Sequence, residues 1–396
     1  MKPFTILYFT LSAVLYVAAL PFLLFLSFRS KYRESVPARF FLRRNPPFSP
    51  GGLWFHACSV GETRALKPLT ERLEADRVRI STVTQTGQKV AESYGVEHRY
   101  LPYELFIPWW VRPQKALVVL EAEFWYLLFT VARAKGAQVI LLNARISERS
   151  FPKYLKMRWF YRRLFAQVHR VYAQSGADKS RLEALGASNV KVIGNIKLAQ
   201  KIAAAKRYEK PEGELLIAAS THEGEETMIL DAFMQYRTKH PDAKLLVVPR
   251  HPERFDAVWE LIEKMKGALE SARWSVDGPG ALPKADILLV DAMGELNSLY
   301  AIGDLAILGG AFREDVGGHN PLEPAFFGCR IVTGEHCFNQ KELMRYVEPV
   351  MTVSPDALPD ALEEARSLSP AKITGTVDLG PVLNDLQTLQ KERNEP

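Results

Sequence analysis

Two series of short apolar runs alternate with helix-like stretches of mixed charge along most of this chain. The first series comprises residues 53–57, 78–84, 116–123, 137–144 and 190–196, and the second comprises 214–221, 243–250, 285–292, 304–311 and 329–334. Continuous apolar strands separated by helices are typical of a parallel sheet that helices cover on both faces. The pattern predicts an α/β protein with two doubly wound domains, joined near residues 200–213. In such sheets ligands bind beyond the carboxyl ends of the strands, so we expect the chemistry in the cleft between the domains.

An uncharged apolar run at residues 4–28 precedes the first series and is long enough to span a bilayer. A cleaved signal peptide would have a shorter apolar region and small residues at its end, whereas this run ends in Phe-Leu-Ser-Phe. Only Lys2 precedes the run, whereas several basic residues follow it: Arg29, Lys31, Arg33, Arg39, Arg43 and Arg44. The positive-inside rule therefore predicts a retained single-pass anchor with the remaining chain in the cytoplasm. A buried core helix is the alternative.

The composition suits a globular protein rather than a disordered one, with 47% hydrophobic and 24% charged residues. The excess of 51 basic over 45 acidic side chains gives a modest net charge of +6. The three cysteines, Cys58, Cys329 and Cys337, form neither a CxxC pair nor a Cys/His ladder, which indicates free thiols in a reducing compartment. Since no cluster of carboxylates and histidines has clear metal-binding spacing, we predict no metal and no other cofactor.

Polar motifs follow many of the predicted strands. They occupy residues 56–63 (HACSVGET), 121–125 (EAEFW), 143–150 (NARISERS), 220–226 (STHEGEE), 249–255 (PRHPERF), 291–300 (DAMGELNSLY) and 309–328. Each alone is compatible with ordinary helix capping. Glu62 stands where a helix is predicted to begin, so the helix dipole would lower its pKa unless burial raises it. Alternation along a strand end would point Glu121 and Glu123 to opposite faces.

Taken together, these motifs resemble the membrane-associated 3-deoxy-D-manno-oct-2-ulosonic acid (Kdo) transferases of lipopolysaccharide assembly. Besides the anchor, the matching stretches are HAxSxGE at 56–62, the LPxD-like 101–104, ExExW at 121–125, NARxSxRS at 143–150, GNxK at 194–197, and residues 249–254 and 317–324. The chain departs from the family pattern at Glu104, which replaces Asp, and at Tyr126-Leu127, which replaces Pro-Asn. It also carries Gly309-Gly310-Ala311 where the family often has GGS.

The resemblance implies a GT-B glycosyltransferase, with two Rossmann-like domains facing a cleft. It implies inverting, metal-independent transfer of Kdo from CMP-Kdo to a lipid A precursor (lipid IVA) at the inner membrane. The predicted domains are the anchor (1–30), an acceptor domain (31–205), a CMP-Kdo domain (206–375), and a C-terminal helix (376–396) that packs on the N-terminal domain.

Residue roles follow from the resemblance. It assigns Glu62 as the base that takes the acceptor proton, with Glu121 supporting substrate or catalysis. The residues expected to contact the acceptor or Kdo are Ser59, Gly61, Asn143, Arg145, Ser147 and Lys197. Those expected to bind the donor are Arg250, His251, Gly294, Glu295, Gly310, Asn320 and Glu323, the last accepting hydrogen bonds from the ribose. Structural alternatives stay open, because Glu62 also suits a first helical turn and Arg145 and Lys197 also suit salt bridges.

A stretch without acidic residues, 149–177, interleaves basic with aromatic side chains. Its cations Lys153, Lys156, Arg158, Arg162 and Arg163 suit an anionic leaflet and the phosphates of a lipid A precursor. Nucleic acid would also attract this charge, but the anchor favours lipid.

Two other functions remain open. One is a GT-B transferase or epimerase that uses a UDP-sugar, and the other is a non-catalytic, membrane-anchored lipid-binding protein. The number of Kdo units added, the acyl preference and the oligomeric state do not follow from the sequence.

Overall fold

The computed structural model describes residues 3–391, apart from the side chain of Lys31. Lys2, which enters the charge argument, and residues 392–396 of the predicted C-terminal segment lie outside the described residues. The chain forms two compact units, one comprising Met1–Gln200 with Thr376–Pro396 and the other Lys201–Gly375. Each unit contains a seven-stranded parallel sheet with helices on its faces, so the predicted α/β, doubly wound fold class is confirmed.

The first unit is built on a sheet whose strand order reverses at its centre. Its strands are β1 (Leu53–His56), β2 (Val78–Thr82), β3 (Glu97–Tyr100), β4 (Ala116–Leu120), β5 (Gln138–Ala144), β6 (Arg170–Ala173) and β7 (Val190–Val192). They lie in the order β3-β2-β1-β4-β5-β6-β7 and all pair in parallel. The chain leaves β1 and β4 toward opposite sides, which opens a crevice at their carboxyl ends.

Helices cover both faces of this sheet. They are α1 (Pro3–Ser27), α2 (Ser35–Phe40), α3 (Val60–Ala65), α4 (Lys67–Thr70), α5 (Gln85–Glu92), α6 (Ile107–Trp110), α7 (Tyr126–Ala134), α8 (Phe151–Lys156), α9 (Arg158–Phe165) and α10 (Gly176–Ala184). Successive strand residues enter opposite cores, since Trp54 and Leu117 pack on one face whereas Leu53 and Val118 pack on the other. Burial on both faces explains why these strands are continuously apolar.

Helix α1 is the described helix that is long and apolar enough to cross a membrane, by length and composition alone, with a mean hydropathy of 2.3. Polar contacts also join it to the first unit. Thr5 Oγ1 lies 3.0 Å from Tyr126 Oη, and the Tyr16 hydroxyl donates to the carbonyl of Phe40 at 2.7 Å. The Tyr8 hydroxyl donates to Glu104 at 2.5 Å.

The second unit repeats the doubly wound arrangement. Its strands are β8 (Leu215–Thr221), β9 (Lys244–Pro249), β10 (Ser271–Arg273), β11 (Ile287–Leu289), β12 (Leu305–Leu308), β13 (Arg330–Gly334), β14 (Val347–Glu348), β15 (Met351–Val353) and β16 (Lys372–Ile373). The main sheet has the order β10-β11-β9-β8-β12-β13-β15, and β14 pairs with β16 in a separate antiparallel ladder. The order reverses between β8 and β12, which places a second crevice there.

The remaining helices cover the second sheet and then return the chain to the first unit. They are α11 (Glu225–Lys239), α12 (Phe255–Met265), α13 (Trp274–Asp277), α14 (Leu296–Tyr300), α15 (Leu322–Phe326), α16 (Leu358–Ala365) and α17 (Gly380–Lys391). Helix α17 buries Val382, Leu386 and Leu389 in the core of the first unit. Asp385 accepts a hydrogen bond from the hydroxyl of Tyr172 at 2.6 Å and pairs with Arg170 at 2.7 Å.

The structure departs from the sequence prediction at strand ends and edges. Strands β3, β6, β10 and β14–β16 were not predicted, because they are short or polar, as in the EHRY of β3. The predicted alternation of Glu121 and Glu123 is wrong, since β4 ends at Leu120 and Glu121 has a φ of 55°. Asn143, within β5, has a φ of 57°, so the chain does not stay extended there either.

Candidate functional site

Glu62 occupies the first turn of α3, directly beyond β1. Ser59 is the N-cap of this helix, and its Oγ both accepts from the Glu62 amide at 3.2 Å and donates to Glu62 Oε1 at 2.8 Å. The amide of Cys58 donates to Glu62 Oε2 at 2.9 Å. This arrangement resembles a capping box, except that the glutamate accepts from the amide of Cys58, the residue before the N-cap, rather than from that of Ser59. Gly61, also predicted to contact the acceptor or Kdo, is exposed. A Cβ at this position would meet nothing nearer than Ser59 Oγ at 3.9 Å.

Burial raises the pKa of Glu62 above its ordinary value. The hydrogen bond from the Cys58 amide opposes this shift, and the nearby negative charges of Glu121 and Glu123 reinforce it. A carboxylate with a raised pKa accepts a proton more readily, as a general base requires. The capping role and the predicted role as base are therefore compatible at this position.

Glu121, beyond the neighbouring strand β4, is held by two cations. Lys197 Nζ lies 2.6 Å from Glu121 Oε1, and Arg145 Nε lies 3.4 Å from Oε2. Arg145 and Lys197 thus form the salt bridges that we kept as the structural alternative. Because β1 and β4 are neighbours at the point where the strand order reverses, Glu62 and Glu121 share one crevice. The structure brings together four of the predicted residues here.

Asn143 is buried, and its Oδ1 accepts a hydrogen bond from the Ile196 amide at 3.0 Å. That bond holds the one-turn segment Ile196–Ala199, which carries Lys197. Asn143 therefore positions Lys197 through this segment, and its predicted contact with substrate stays a prediction. Ser147 is engaged locally with Ser150, whose amide donates to Ser147 Oγ at 3.2 Å.

A thiol, an imidazole and a carboxylate meet beside this crevice. His56 Nε2, Cys58 Sγ and a carboxylate oxygen of Glu123 lie within 4.8 Å of one another, the one such potential metal-binding trio found in residues 3–391. His56 Nδ1 lies 3.1 Å from the carbonyl of Ser81, so Nδ1 carries the proton and Nε2 faces the thiol at 3.6 Å. Burial raises the pKa of Cys58, with the Glu123 charge adding to it, and lowers the pKa of His56 to about 3. A protonated thiol beside a neutral imidazole needs no ion for its hydrogen bonding.

In the second unit, three histidines converge beyond the strand ends. His222 follows β8, His251 lies two residues after β9, and His319 precedes α15. The Nε2 atoms of His222 and His319 lie 2.9 Å apart with stacked rings, and the ring of His251 is 5.2 Å from that of His222. Burial lowers the pKa of His319 to about 4, and the neighbouring His222 and Arg250 charges contribute. Imidazole N–H groups with an exposed arginine beside them can donate hydrogen bonds to an anion.

Two buried glutamates support this cluster from α11. Glu225 accepts hydrogen bonds from the amides of His222 at 2.9 Å and Gly310 at 2.8 Å. Glu226 accepts hydrogen bonds from both Nη atoms of Arg254, at 2.6 and 3.0 Å. Gly310 has a φ of 73°, and a Cβ there would lie 3.0 Å from the His319 ring, so the close approach requires glycine.

The other predicted donor residues differ in their surroundings. Asn320 Nδ2 donates to Glu323 Oε1 at 3.1 Å, and its Oδ1 accepts from the amide of Leu322 at the start of α15. Glu295, which follows Gly294, is paired with Lys206 Nζ at 2.5 Å and accepts a hydrogen bond from the Tyr208 hydroxyl at 2.6 Å. Burial alone would raise the pKa of Glu295, but these two partners lower it. The structure thus gives Glu295 a structural contact that the sequence did not predict.

The stretch predicted to face lipid contains two short helices, α8 and α9. All five predicted cations are exposed on α8 and α9: Lys153, Lys156, Arg158, Arg162 and Arg163. Leu155, Met157 and Trp159 are also exposed between them. The guanidinium of Arg163 lies 5.3 Å from the ring of Phe4, which joins this surface to α1.

Sequence reasoning missed His222, His319, Glu225, Glu226 and Arg254 as members of a site. Their motifs were recognised, but no spacing along the chain indicates that segments after β8, β9 and β12 meet. The sequence does place these motifs beyond predicted strands. Grouping them into one site also requires the strand order, which only the structure shows. Glu104 was recognised only as a departure, and it caps α7 by accepting from the Leu127 amide at 2.7 Å.

Comparisons with known proteins identify the family. A family model described as 3-deoxy-D-manno-octulosonic-acid transferase matches residues 34–200. The 3-deoxy-D-manno-octulosonic acid transferase of Haemophilus influenzae is 36% identical over 366 residues, which cover 85% of this chain and 83% of that relative. The enzyme of the same name from Bordetella pertussis is 33% identical over 338 residues, or 78% of each chain.

Among solved structures, a protein assigned as a UDP-N-acetylglucosamine 2-epimerase from Listeria monocytogenes is 12% identical, with a TM-score of 0.51. It covers 88% of this chain and 99% of its own, and it shows a shared fold alone. The relatives confirm the family and the glycosyltransferase class that the motifs predict. The chain belongs to the 3-deoxy-D-manno-octulosonic acid (Kdo) transferase family.

Proposed function

We propose that this protein transfers Kdo from CMP-Kdo to a lipid A precursor, with inversion at the Kdo anomeric carbon. The observation that carries the proposal is the carboxylate of Glu62 at the central crevice of the first sheet, with a raised pKa and with Glu121 beside it. The H. influenzae and B. pertussis relatives carry the name of the same reaction.

In the proposed reaction, the acceptor hydroxyl oxygen attacks the anomeric carbon of Kdo while the bond from that carbon to the phosphate oxygen breaks. The electron pair of that bond leaves with CMP, and the hydroxyl proton passes to Glu62. Lys197 and Arg145, which neutralise Glu121, would also attract the carboxylate of Kdo or a phosphate of the acceptor. General base catalysis of this kind contributes about 10²–10⁴-fold to the rate.

The second unit would bind the donor. Arg250 and the histidine cluster of His222, His251 and His319 offer hydrogen-bond donors to the CMP phosphate, so leaving-group charge is stabilised by protein groups without a metal ion. Glu323, held by Asn320, would accept hydrogen bonds from the ribose hydroxyls. We propose no role for a metal at His56, Cys58 and Glu123, because their hydrogen bonds to one another account for their approach.

We also propose that the protein acts at the cytoplasmic face of the inner membrane, anchored by α1. The apolar length of α1 supports this location, and so do the exposed cations and apolar side chains of α8 and α9. Both features would hold the first unit against the leaflet that contains a lipid A precursor.

Mass spectrometry of the reaction product tests the proposal. Detergent-solubilised full-length protein is incubated with tetraacyl lipid A precursor and CMP-Kdo. We expect a mass gain of one or more Kdo units, and the number of units gives the multiplicity. No gain, in a mixture where a known Kdo transferase is active, would contradict the proposal. Tighter binding of UDP than of CMP would then favour a UDP-sugar enzyme of the same fold.

A further inference from the structure

A basic cavity lies at the edge of the first sheet, and its lining begins shortly after α1 in sequence. Its volume is about 570 Å³, and it is lined by the segment around α2, by α5 and by strand β3. Arg33, Arg43, Arg44 and Arg99 contribute to the lining, whereas Glu34 is its single acidic residue. A cavity of this size holds a small polar ligand or a lipid headgroup. Its charge favours an anion.

Three of these arginines are available to a ligand. Arg33, Arg43 and Arg44 are exposed, and within residues 3–391 no side-chain hydrogen bond or ion pair is found for them. Arg99, in contrast, is committed, because it donates to the carbonyls of Pro46 and His98 and pairs with Glu97 at 3.1 Å. Guanidinium groups that line one cavity without carboxylate partners are suited to phosphate recognition.

The backbone that presents the arginines is held rigidly. Asn45 is buried, and its Nδ2 donates to the carbonyls of Ala38 at 3.1 Å and Tyr100 at 2.9 Å, while its Oδ1 accepts from the Tyr100 amide at 3.2 Å. Leu42 and Arg44 both have φ values in the left-handed region, 53° and 52°. Side chains rarely adopt this conformation unless their surroundings impose it.

Tyr100 provides an independent indication of a ligand. It lines the cavity, is only 8% exposed, and its hydroxyl has no hydrogen-bond partner within the part of the chain that the structure describes. Burial raises the pKa of Tyr100 to about 12, with the charge of Glu34 contributing, so the hydroxyl remains a donor. A buried donor without an acceptor is unfavourable, and a phosphate oxygen is the kind of acceptor it lacks.

We propose that this cavity binds the phosphate headgroup of an anionic membrane phospholipid, with Arg33, Arg43, Arg44 and Tyr100 as its ligands. This inference rests on the proposed membrane attachment, since Arg33 comes only a short segment after Ser27, the last residue of α1. Bulk phospholipid, rather than the acceptor, is the expected occupant because β3 is the edge strand, two strands from β1 and Glu62. Occupancy would fix the first unit relative to the bilayer.

The test measures lipid binding to full-length protein in a non-ionic detergent. Short-chain phosphatidylglycerol is titrated and its dissociation constant is determined by microscale thermophoresis, with phosphatidylcholine and inorganic phosphate as comparison ligands. Arg43→Gln with Arg44→Gln should weaken phosphatidylglycerol binding by about tenfold or more, as loss of charged hydrogen bonds requires. Tyr100→Phe, which removes only a hydroxyl that lacks a partner, should weaken it by about threefold without lowering the melting temperature.

The matched control is Arg72→Gln with Arg112→Gln, which removes the same charge from exposed sites on the same unit. Equal losses in the two double variants would overturn the proposal in favour of non-specific attraction. Equal affinity for inorganic phosphate would also overturn it, because the site would then serve a soluble anion. If the cavity variants bound phosphatidylglycerol normally but had a higher KM for the lipid A precursor, the cavity would belong to the acceptor.

The transfer assay keeps this inference separate from the proposed function. In detergent free of phospholipid, the Arg43→Gln, Arg44→Gln variant should transfer Kdo within about twofold of the wild-type rate. Wild-type protein that bound phosphatidylglycerol but transferred no Kdo would contradict the proposed function alone. Wild-type protein that transferred Kdo but did not bind phosphatidylglycerol would contradict the cavity proposal alone.

Discussion

The two sheets have the same doubly wound arrangement, but they present opposite chemistry at their central crevices. In the first unit, carboxylates of Glu62 and Glu121 stand beyond adjacent strands. In the second, Arg250 and the histidine cluster of His222, His251 and His319 occupy the equivalent position. Equivalent topology therefore places residues at the same location without fixing what they do. The difference is compatible with the proposed roles, in which the first unit supplies a base for the acceptor and the second unit binds the anionic donor.

The second unit also has carboxylates, but these have structural partners. Glu225 accepts from the amides of His222 and Gly310, and Glu226 is paired with Arg254. The contrast between the units therefore depends on partners rather than on residue type. Glu62 has a raised pKa in a crevice, whereas Glu226 is 1% exposed and neutralised by a guanidinium.

The largest expected effect on stability is that of Glu226→Gln. The change leaves Arg254 and Thr221 without their charged acceptor in a buried site, which should lower the free energy of unfolding by about 3 kcal/mol. Thermal unfolding followed by circular dichroism measures it. The matched control is Glu183→Gln, whose exposed pair with Lys179 at 3.8 Å should contribute little. An unchanged melting temperature in Glu226→Gln would contradict the claim that this carboxylate stabilises the fold.

Acid should destabilise the second unit through His319. Its folded pKa of about 4 lies below the ordinary 6.5, so the unfolded state takes up the proton first as the pH falls. The contribution is present above about pH 6.5 and is lost progressively toward pH 4, by up to about 3 kcal/mol. His319→Asn should flatten this part of the stability profile relative to the wild type. An identical pH profile in wild type and His319→Asn would show that the imidazole is not held neutral.

Arg250→Gln should weaken donor binding. Loss of one charged hydrogen bond to a phosphate corresponds to about 1.5–3 kcal/mol, which is roughly tenfold to a hundredfold in the dissociation constant for CMP. Isothermal titration calorimetry measures this constant. Lys264→Gln removes the same charge from an exposed position on α12 and serves as the control. Unchanged CMP affinity in Arg250→Gln would remove the arginine from the anion site.

The smallest expected effect is that of Cys58→Ala. If His56, Cys58 and Glu123 form a hydrogen-bonded group without a metal, the change and excess chelator should each leave turnover within about threefold of wild type. Product mass spectrometry measures turnover in both cases. The contrary result would be a wild-type protein that loses activity with chelator and regains it with zinc, together with a Cys58→Ala variant that zinc does not restore. It would contradict the metal-independent mechanism and assign a metal to His56, Cys58 and Glu123.

Much of this architecture was accessible from the sequence. The anchor-like helix, five strands of each main sheet and the motifs beyond them follow from apolar periodicity and from local resemblance. The edge strand β3 was missed because its residues, EHRY, have no apolar signature. The position of Glu62 was predicted, and its electrostatic environment was not, because it depends on Glu121 from a strand that lies next to β1 only in the folded sheet.

Long-range pairings set the limit of prediction in the site. Glu295 was assigned to the donor, yet Lys206 and Tyr208, from the start of the second unit, occupy its carboxylate. Asn143 was assigned to substrate, yet its side chain holds the segment that carries Lys197. In each case the residue type was suitable for both roles. The folded chain supplies each with a structural partner, and the predicted substrate contacts of both stay predictions.

Turnover and CMP affinity of Glu62→Gln, measured side by side, test the central claim most directly. Glutamine can still accept from the Cys58 amide through its one carbonyl oxygen but cannot act as a base, so we predict a loss of about 10²–10⁴-fold in turnover with unchanged CMP affinity. Glu71→Gln, exposed and paired with Lys67 at 3.7 Å, should leave both quantities unchanged. Near wild-type turnover in Glu62→Gln would contradict the account and make Glu121 the next base to examine.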